Sequence, residues 1–248
     1  MTPTILGVGT SAAVHRTAAL MFVSSARRAI EARGVFRVAL SGGSTPRGMY
    51  ARLVDDQQLR TQVRWDAVRF FWSDERGVPP DDARSNYGLA RAALLQPLNI
   101  AQSQIRRVRG ELADADQSAR EYEQAIKDDF AAHDQMVPRF DLILLGMGAD
   151  GHTASLFPHS PALRERQRLV VSNHAPHLDT QRITMTVPLL NAAEEVIVLV
   201  AGADKAAALH DVLQGPRDPE RLPAQLVEPA DGRVTWIVDD DAIGAGAG

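Results

Sequence analysis

Two rhythms of apolar residues alternate along this chain. Short, nearly continuous apolar runs rich in β-branched residues are separated by longer stretches in which apolar residues return every three or four positions. The first periodic stretch follows Ser11, a candidate cap, with Ala12, Leu20, Val23, Ala26 and Ile30 near helical spacing and Gly34 placed to end it. "VFRVALS" (35–41) then predicts a strand, "GGSTP" a glycine loop, and Pro46 to Val54 a helix. "AVRFFWSD" (67–74) predicts a second strand, followed by a loop rich in Pro and Asp and a helix with Ser85 as N-cap. "IRRVRG" predicts a short strand and residues 112–132 a helix with a polar face. "FDLILLGMG" is apolar almost throughout, as strands covered on both faces are. Residues 168–174, "RITMTV" and "EEVIVLVAG" predict further strands, "ADKAAALHDVL" a helix, and "VTWIVDD" a last strand.

Strands alternating with helices predict an α/β fold: a single Rossmann-like domain over residues 1–248, with a mostly parallel sheet and helices on both faces. Residues from about 239 to 248, small and glycine-rich, are expected to form a flexible tail. In such sheets ligands bind at the carboxyl ends of the strands, near a topological switch point. Polar clusters follow Leu40, Phe71, Leu145 and Val200, all at predicted strand ends.

Composition narrows the functional classes. With 248 residues and 45% apolar content, the chain can bury one sizeable core. The net charge of −4, with no basic block, gives no general attraction to nucleic acid or an anionic membrane. Cysteine is absent, which removes disulfides, thiolate metal ligands and cysteine nucleophiles, and fits a reducing compartment. With no basic leader and no long apolar span, the expectation is a cytoplasmic protein. Of the 27 basic residues only Lys127 and Lys205 are lysine, so a lysine in a suggestive setting carries some information.

Four loops could carry chemistry. In "SGGSTP", Gly42 and Gly43 let backbone N–H groups approach a phosphate, Ser44 and Thr45 supply hydroxyls, and a helix follows with Thr45 as candidate N-cap and Pro46 as its first residue. A tight turn with a cap explains the same residues equally well. The other glycine pair, Gly7 and Gly9, lacks a convincing strand before it and reads as an ordinary loop. In "WSDERGVPPDDARSNYGLAR", Asp74, Glu75 and Arg76 stand where an apolar strand ends, either as a solvated exit or at the root of a substrate-covering loop. Arg76 can offer a planar fork to a carbonyl or phosphate oxygen.

"GMGADGHTASLFP" is the richest segment. Glycines 146, 148 and 151 permit a sharp turn, and His152, near the predicted start of a helix, can take a proton from water near neutrality, with Asp150 to orient it. No metal site is expected: His152 and His159 lack ligand spacing, and "HAPH" (174–177) reads as an exposed loop. "VLVAGADKAAAL" repeats the strand, glycine, helix order and places Lys205 in the first helical turn, where a cation is tolerable if an anion is also held. Lys205 is the first candidate for a phosphate-binding charge, and Arg182 the second.

With these loops assembled, the chain resembles the 6-phosphogluconolactonase family over nearly its whole length, through "SGGSTP", "WSDERGVP…SNY", "GMGADGHTASLFP", "RITMTVPLLNAA" and "AGADK" in that order. The resemblance implies a metal-free hydrolase without cofactor, in a superfamily that includes glucosamine-6-phosphate deaminase and ribose-5-phosphate isomerase. It also implies a small-molecule sugar-phosphate lactone as substrate and a monomer or small homo-oligomer. The expected roles follow. Residues 42–45 hold the phosphate with Lys205 and Arg182, and His152 activates water. Asp150 orients the histidine or the sugar, while Arg76 and amides of the 146–152 turn steady the oxyanion. A Ser nucleophile is disfavoured because no Gly-x-Ser-x-Gly elbow is present. The nearest competitor is the deaminase, whose pattern has Asp-Glu-Tyr in place of Asp74, Glu75, Arg76 and an acid after the histidine in place of Leu156, Phe157, Pro158. A non-enzymatic sugar-phosphate sensor is the weakest alternative, since no helix-turn-helix extension accompanies the loops. Residues 214–232 match least and receive no role.

Overall fold

A computed structural model describes residues 3–131, 136–175 and 180–244. Nine strands, β1 (Thr4–Gly7), β2 (Phe36–Leu40), β3 (Val68–Trp72), β4 (Asp74–Arg76), β5 (Leu142–Gly146), β6 (Val170–Ala175), β7 (Thr180–Met185), β8 (Glu195–Val200) and β9 (Arg233–Val238), form two sheets among the described residues. The larger is parallel throughout, in the order β1-β9-β8-β5-β2-β3. The smaller is antiparallel, in the order β4-β7-β6. Flanking these are α1 (Ser11–Arg33), α2 (Ser44–Asp55), α3 (Gln57–Arg60), α4 (Asn86–Ala90), α5 (Ala115–Asp129), α6 (Val187–Asn191), α7 (Ala206–Gln214) and α8 (Asp240–Ile243).

The α/β class and the mostly parallel sheet agree with the sequence reading. The second sheet does not follow from it. "AVRFFWSD" is not one strand but two, because at Ser73 the chain leaves the large sheet for the small one: the Ser73 N–H donates to Leu40 O, while its own carbonyl accepts from Met185 N–H, both at 2.9 Å. Helix α5 fills the angle between the sheets, and its Tyr122 hydroxyl both donates to Trp72 O at 2.8 Å and accepts from Trp72 N–H at 2.7 Å.

Several local expectations are corrected. Thr10, not Ser11, caps α1, its side chain accepting from Ala13 N–H, and Gly34 ends the helix with φ +74° as expected. Leu20, assigned to the apolar face, is 48% exposed; Val14, Ala18, Phe22, Ala26 and Ile30 are the buried stripe. The residues before Gly7 do form a strand, β1, which escapes the apolar pattern because it is a short, exposed edge. "IRRVRG" contributes a single bridge from Ile105 to Phe70 rather than a strand. The tail begins with structure: Asp239 caps α8 by accepting from Ala242 N–H, and Ala242 is fully buried. In "HAPH", His174 and Ala175 end β6, while Pro176 and His177 lie outside the described residues.

Candidate active site

The strand order explains where the site forms. From β2 the chain moves outward to β3, then returns to lay β5 on the other side of β2 and continues outward to β8 and β9. The switch point therefore lies between β2 and β5, and the loops leaving β2, β5 and β8 emerge side by side. These are the glycine loop, the histidine loop and the Lys205 loop.

The glycine loop enters α2 two residues earlier than expected. Gly43, with φ +102°, is the N-cap, and Ser44 and Thr45 are the first helical residues. Neither hydroxyl caps the helix, so both are available to a ligand at an N-terminus with no acid in its first turn.

The histidine loop contains no helix. It is a chain of tight turns, with Gly148 N–H donating to His152 O, Gly151 N–H to Gly148 O, and Thr153 Oγ1 to Gly146 O. Asp150 Oδ1 accepts from the His152 amide at 3.1 Å and from its ring Nδ1 at 2.5 Å. Burial alone would raise the Asp150 carboxyl, but the hydrogen bonds and charge of His152 outweigh it and hold the group below the ordinary carboxylate range. With Nδ1–H committed to Asp150, Nε2 is the nitrogen left to accept a proton. The ring rests on Phe157, centroids 4.8 Å apart. The amides of Gly148, Gly151 and His152 are thus engaged within the turn, which leaves them unable to serve an oxyanion as the sequence reading allowed.

Arg76 and Arg182 face one another as register partners on β4 and β7. Arg76 donates from Nη1 to Arg84 O at 2.5 Å, and its buried Nε has no partner among the described residues. Arg182 is only 8% exposed, and its guanidinium has neither an ion pair nor a hydrogen bond among the described residues. Burial first, then the neighbouring Arg76, pushes its pKa down, while Asp74 and Glu75 oppose that. Lys205 closes a 3-10 turn immediately before α7, its Nζ 2.8 Å from Asp204. An acid next in sequence therefore answers the puzzle of a cation at this helix start. Asp239, at the end of β9, holds the loop by accepting from Gly202 N–H with both oxygens, at 3.0 and 3.2 Å.

Asp74 and Glu75 are not a solvated strand exit; they are 7% and 2% exposed. Glu75 accepts from the amides of Arg76, Asn86 and Tyr87 and from Ser85 Oγ, so one carboxylate fastens both ends of the loop after β4. Residues 214–232, left without a role above, back the histidine loop: Ala224 N–H donates to Gly151 O at 2.9 Å, and His159 N–H to Glu220 O at 2.8 Å. Gly110 packs against the backbone of Arg76, where an added Cβ would overlap the Arg76 carbonyl oxygen and stand 2.9 Å from that of Val78. Gly110→Ala is expected to cost about 2 kcal/mol by overpacking. That corresponds to a fall in Tm of roughly 4–8 °C for a chain of this size, readable by differential scanning calorimetry.

No helix is long and apolar enough to cross a membrane, and among the described residues no three His, Asp or Glu side chains cluster in a way that could hold a metal ion. A parallel sheet with three glycine-bearing loops at its switch point is an α/β fold of the ligand-binding kind, and residues 9–236 match the family described as glucosamine-6-phosphate isomerases/6-phosphogluconolactonase. Within that superfamily the chain belongs to the 6-phosphogluconolactonase family. The 6-phosphogluconolactonase of Synechocystis sp. is 41% identical over 216 residues, covering 87% of this chain and 86% of that one. The human 6-phosphogluconolactonase is 39% identical over 216 residues, covering 85% and 81%. Among solved structures, 6-phosphogluconolactonase from Trypanosoma cruzi superposes with a TM-score of 0.85 at 30% identity, covering 100% of this chain and 99% of that one. A monomeric glucosamine-6-phosphate deaminase shares the fold, with a TM-score of 0.78 at 22% identity, covering 97% and 98%.

Proposed function

We propose that this chain hydrolyses 6-phospho-D-glucono-1,5-lactone to 6-phospho-D-gluconate in the oxidative pentose phosphate pathway, without a metal, using His152 as the base. The observation that carries the reading is the Asp150–His152 pair, which commits Nδ1 and leaves Nε2 without a hydrogen-bond partner among the described residues, on the loop that leaves β5 at the switch point. A single imidazole with one carboxylate behind it is the donor set of a proton relay.

The phosphate sits at the start of α2, against Ser44, Thr45 and the backbone of Gly42 and Gly43, with Arg182 and Lys205 supplying charge. Nε2 of His152 takes a proton from water as its oxygen attacks C1. The resulting oxyanion is met by Arg76, whose uncommitted donors replace the engaged amides of Gly148, Gly151 and His152. As the bond from C1 to the ring oxygen breaks, the imidazolium returns the proton to that oxygen. The product acid then ionises, releasing one proton per turnover.

The deaminase reading is disfavoured by one feature. Where the deaminase pattern sets an acid after the histidine, this chain has Leu156, fully buried, and Phe157, 8% exposed, so Asp150 is the one carboxylate hydrogen-bonded to the imidazole among the described residues. Acid release in a pH-stat from freshly generated lactone, with spontaneous opening subtracted, should show strong acceleration. Glucosamine 6-phosphate should release no ammonia. The opposite pair of results would overturn the assignment.

A further inference from the structure

Three loops of the site are joined underneath by side chains that none of the roles above uses. Ser155, three residues after His152, donates from Oγ to Asp74 Oδ2 at 2.6 Å. Asn86 donates from Nδ2 to Asp74 Oδ1 at 3.1 Å and to Asp74 O at 2.9 Å. Its own Oδ1 is buried without a hydrogen-bond partner and lies against Gly42, where any Cβ would overlap it. The chain of contacts thus runs from the histidine loop, through Asp74 on β4, to the glycine loop. Asp74, Asn86 and Ser155 are 7%, 1% and 1% exposed.

Two further facts set this joint apart from ordinary packing. Asp74 has no ion pair among the described residues, and a buried carboxylate without one is an expensive way to hold two loops together. Its charge does serve the site, because β4 and β7 bring Arg76 and Arg182 into register beside it. Ser155 is also fixed from the other side, its amide donating to Thr184 Oγ1 at 3.2 Å and its carbonyl accepting from Asn173 Nδ2 at 2.8 Å. Asp74 is thus tied by hydrogen bonds to Ser155 on one side and, through Asn86, to the packing against Gly42 on the other.

We propose that Asp74 is a positioning residue for lactone hydrolysis, setting the distance between the base and the phosphate grip through Ser155 on one arm and Asn86 on the other. This rests on the lactonase reading above. Binding energy at the phosphate is useful at C1 only if that distance is held, since a misplacement of about 1 Å can cost roughly a hundredfold in rate.

The two arms predict different kinetic losses. In Ser155→Ala the histidine loop is released, so kcat should fall roughly tenfold with KM nearly unchanged. The pH profile of kcat should keep its acidic limb, because the Asp150–His152 pair is untouched. In Asn86→Ala the glycine loop is released, so KM should rise roughly tenfold with the smaller change in kcat. Asp74→Asn, which retains volume, should show both effects. Ser155→Cys, near in size but a weak donor, carries the first arm if the alanine variant does not fold. Variants that lose only thermal stability, with wild-type kcat and KM, would overturn the proposal, as would one common loss of kcat and KM in both arms. An inactive wild type counts against the lactonase reading itself, so the two failures are separable.

Discussion

His152→Ala is expected to lower kcat for lactone opening about a thousandfold while KM stays nearly constant. The size follows from the range for a positioned general base, roughly a hundredfold to ten-thousandfold. Nothing near His152 can take over: Asp150 is held below the usual carboxylate range, which makes it a poor base near neutrality, and Phe157 covers the ring. KM should hold because the proposed phosphate grip lies on other elements, β7 and the starts of α2 and α7, and an interaction realised only in the transition state leaves ground-state binding alone. The measurement is acid release in a pH-stat under saturating lactone, with the uncatalysed opening subtracted. Retention of most of the wild-type rate would remove His152 from the reaction.

The second large effect is expected at Arg182. Arg182→Gln should raise KM roughly a hundredfold, with a smaller loss in kcat. A charge-assisted hydrogen bond is worth about 1.5–3 kcal/mol, and each factor of ten in affinity about 1.4 kcal/mol, so one lost bidentate contact suffices. The cost of burying this cation beside Arg76 is carried by the protein itself, since Arg182 has no acceptor among the described residues. Removing the charge should therefore not lower Tm in buffer without anions. Inorganic phosphate should raise the wild-type Tm more than that of the variant. A KM within twofold of wild type would place the phosphate elsewhere.

Legibility in the sequence followed the physics of each feature. The core strands β2, β3, β5 and β8 are buried on both faces and read as apolar runs, so the parallel sheet was visible; the exposed edge β1 was not. Ser73 looks like any strand residue, and nothing local announces that its N–H and C=O bond into different sheets. Asp150 and His152 were legible because glycines and an acid surround an imidazole with no core to fill. Asp74, Asn86 and Ser155 were not: they meet across 81 and 12 residues of chain, and only the fold shows them buried together. The engagement of the Gly148, Gly151 and His152 amides was likewise invisible, since turn residues alone do not say where their N–H groups point.

Gly151 has φ +75°, and a Cβ on it would stand 2.7 Å from Leu222 Cδ2 and 3.4 Å from Leu222 Cα. The stretch that presses on the histidine loop here does so through two backbone groups, the Ala224 amide and the Glu220 carbonyl, and through the Leu222 side chain, whose Cδ2 takes the space that Gly151 leaves. The weakest stretch of a sequence match can thus still be a mould for the strongest.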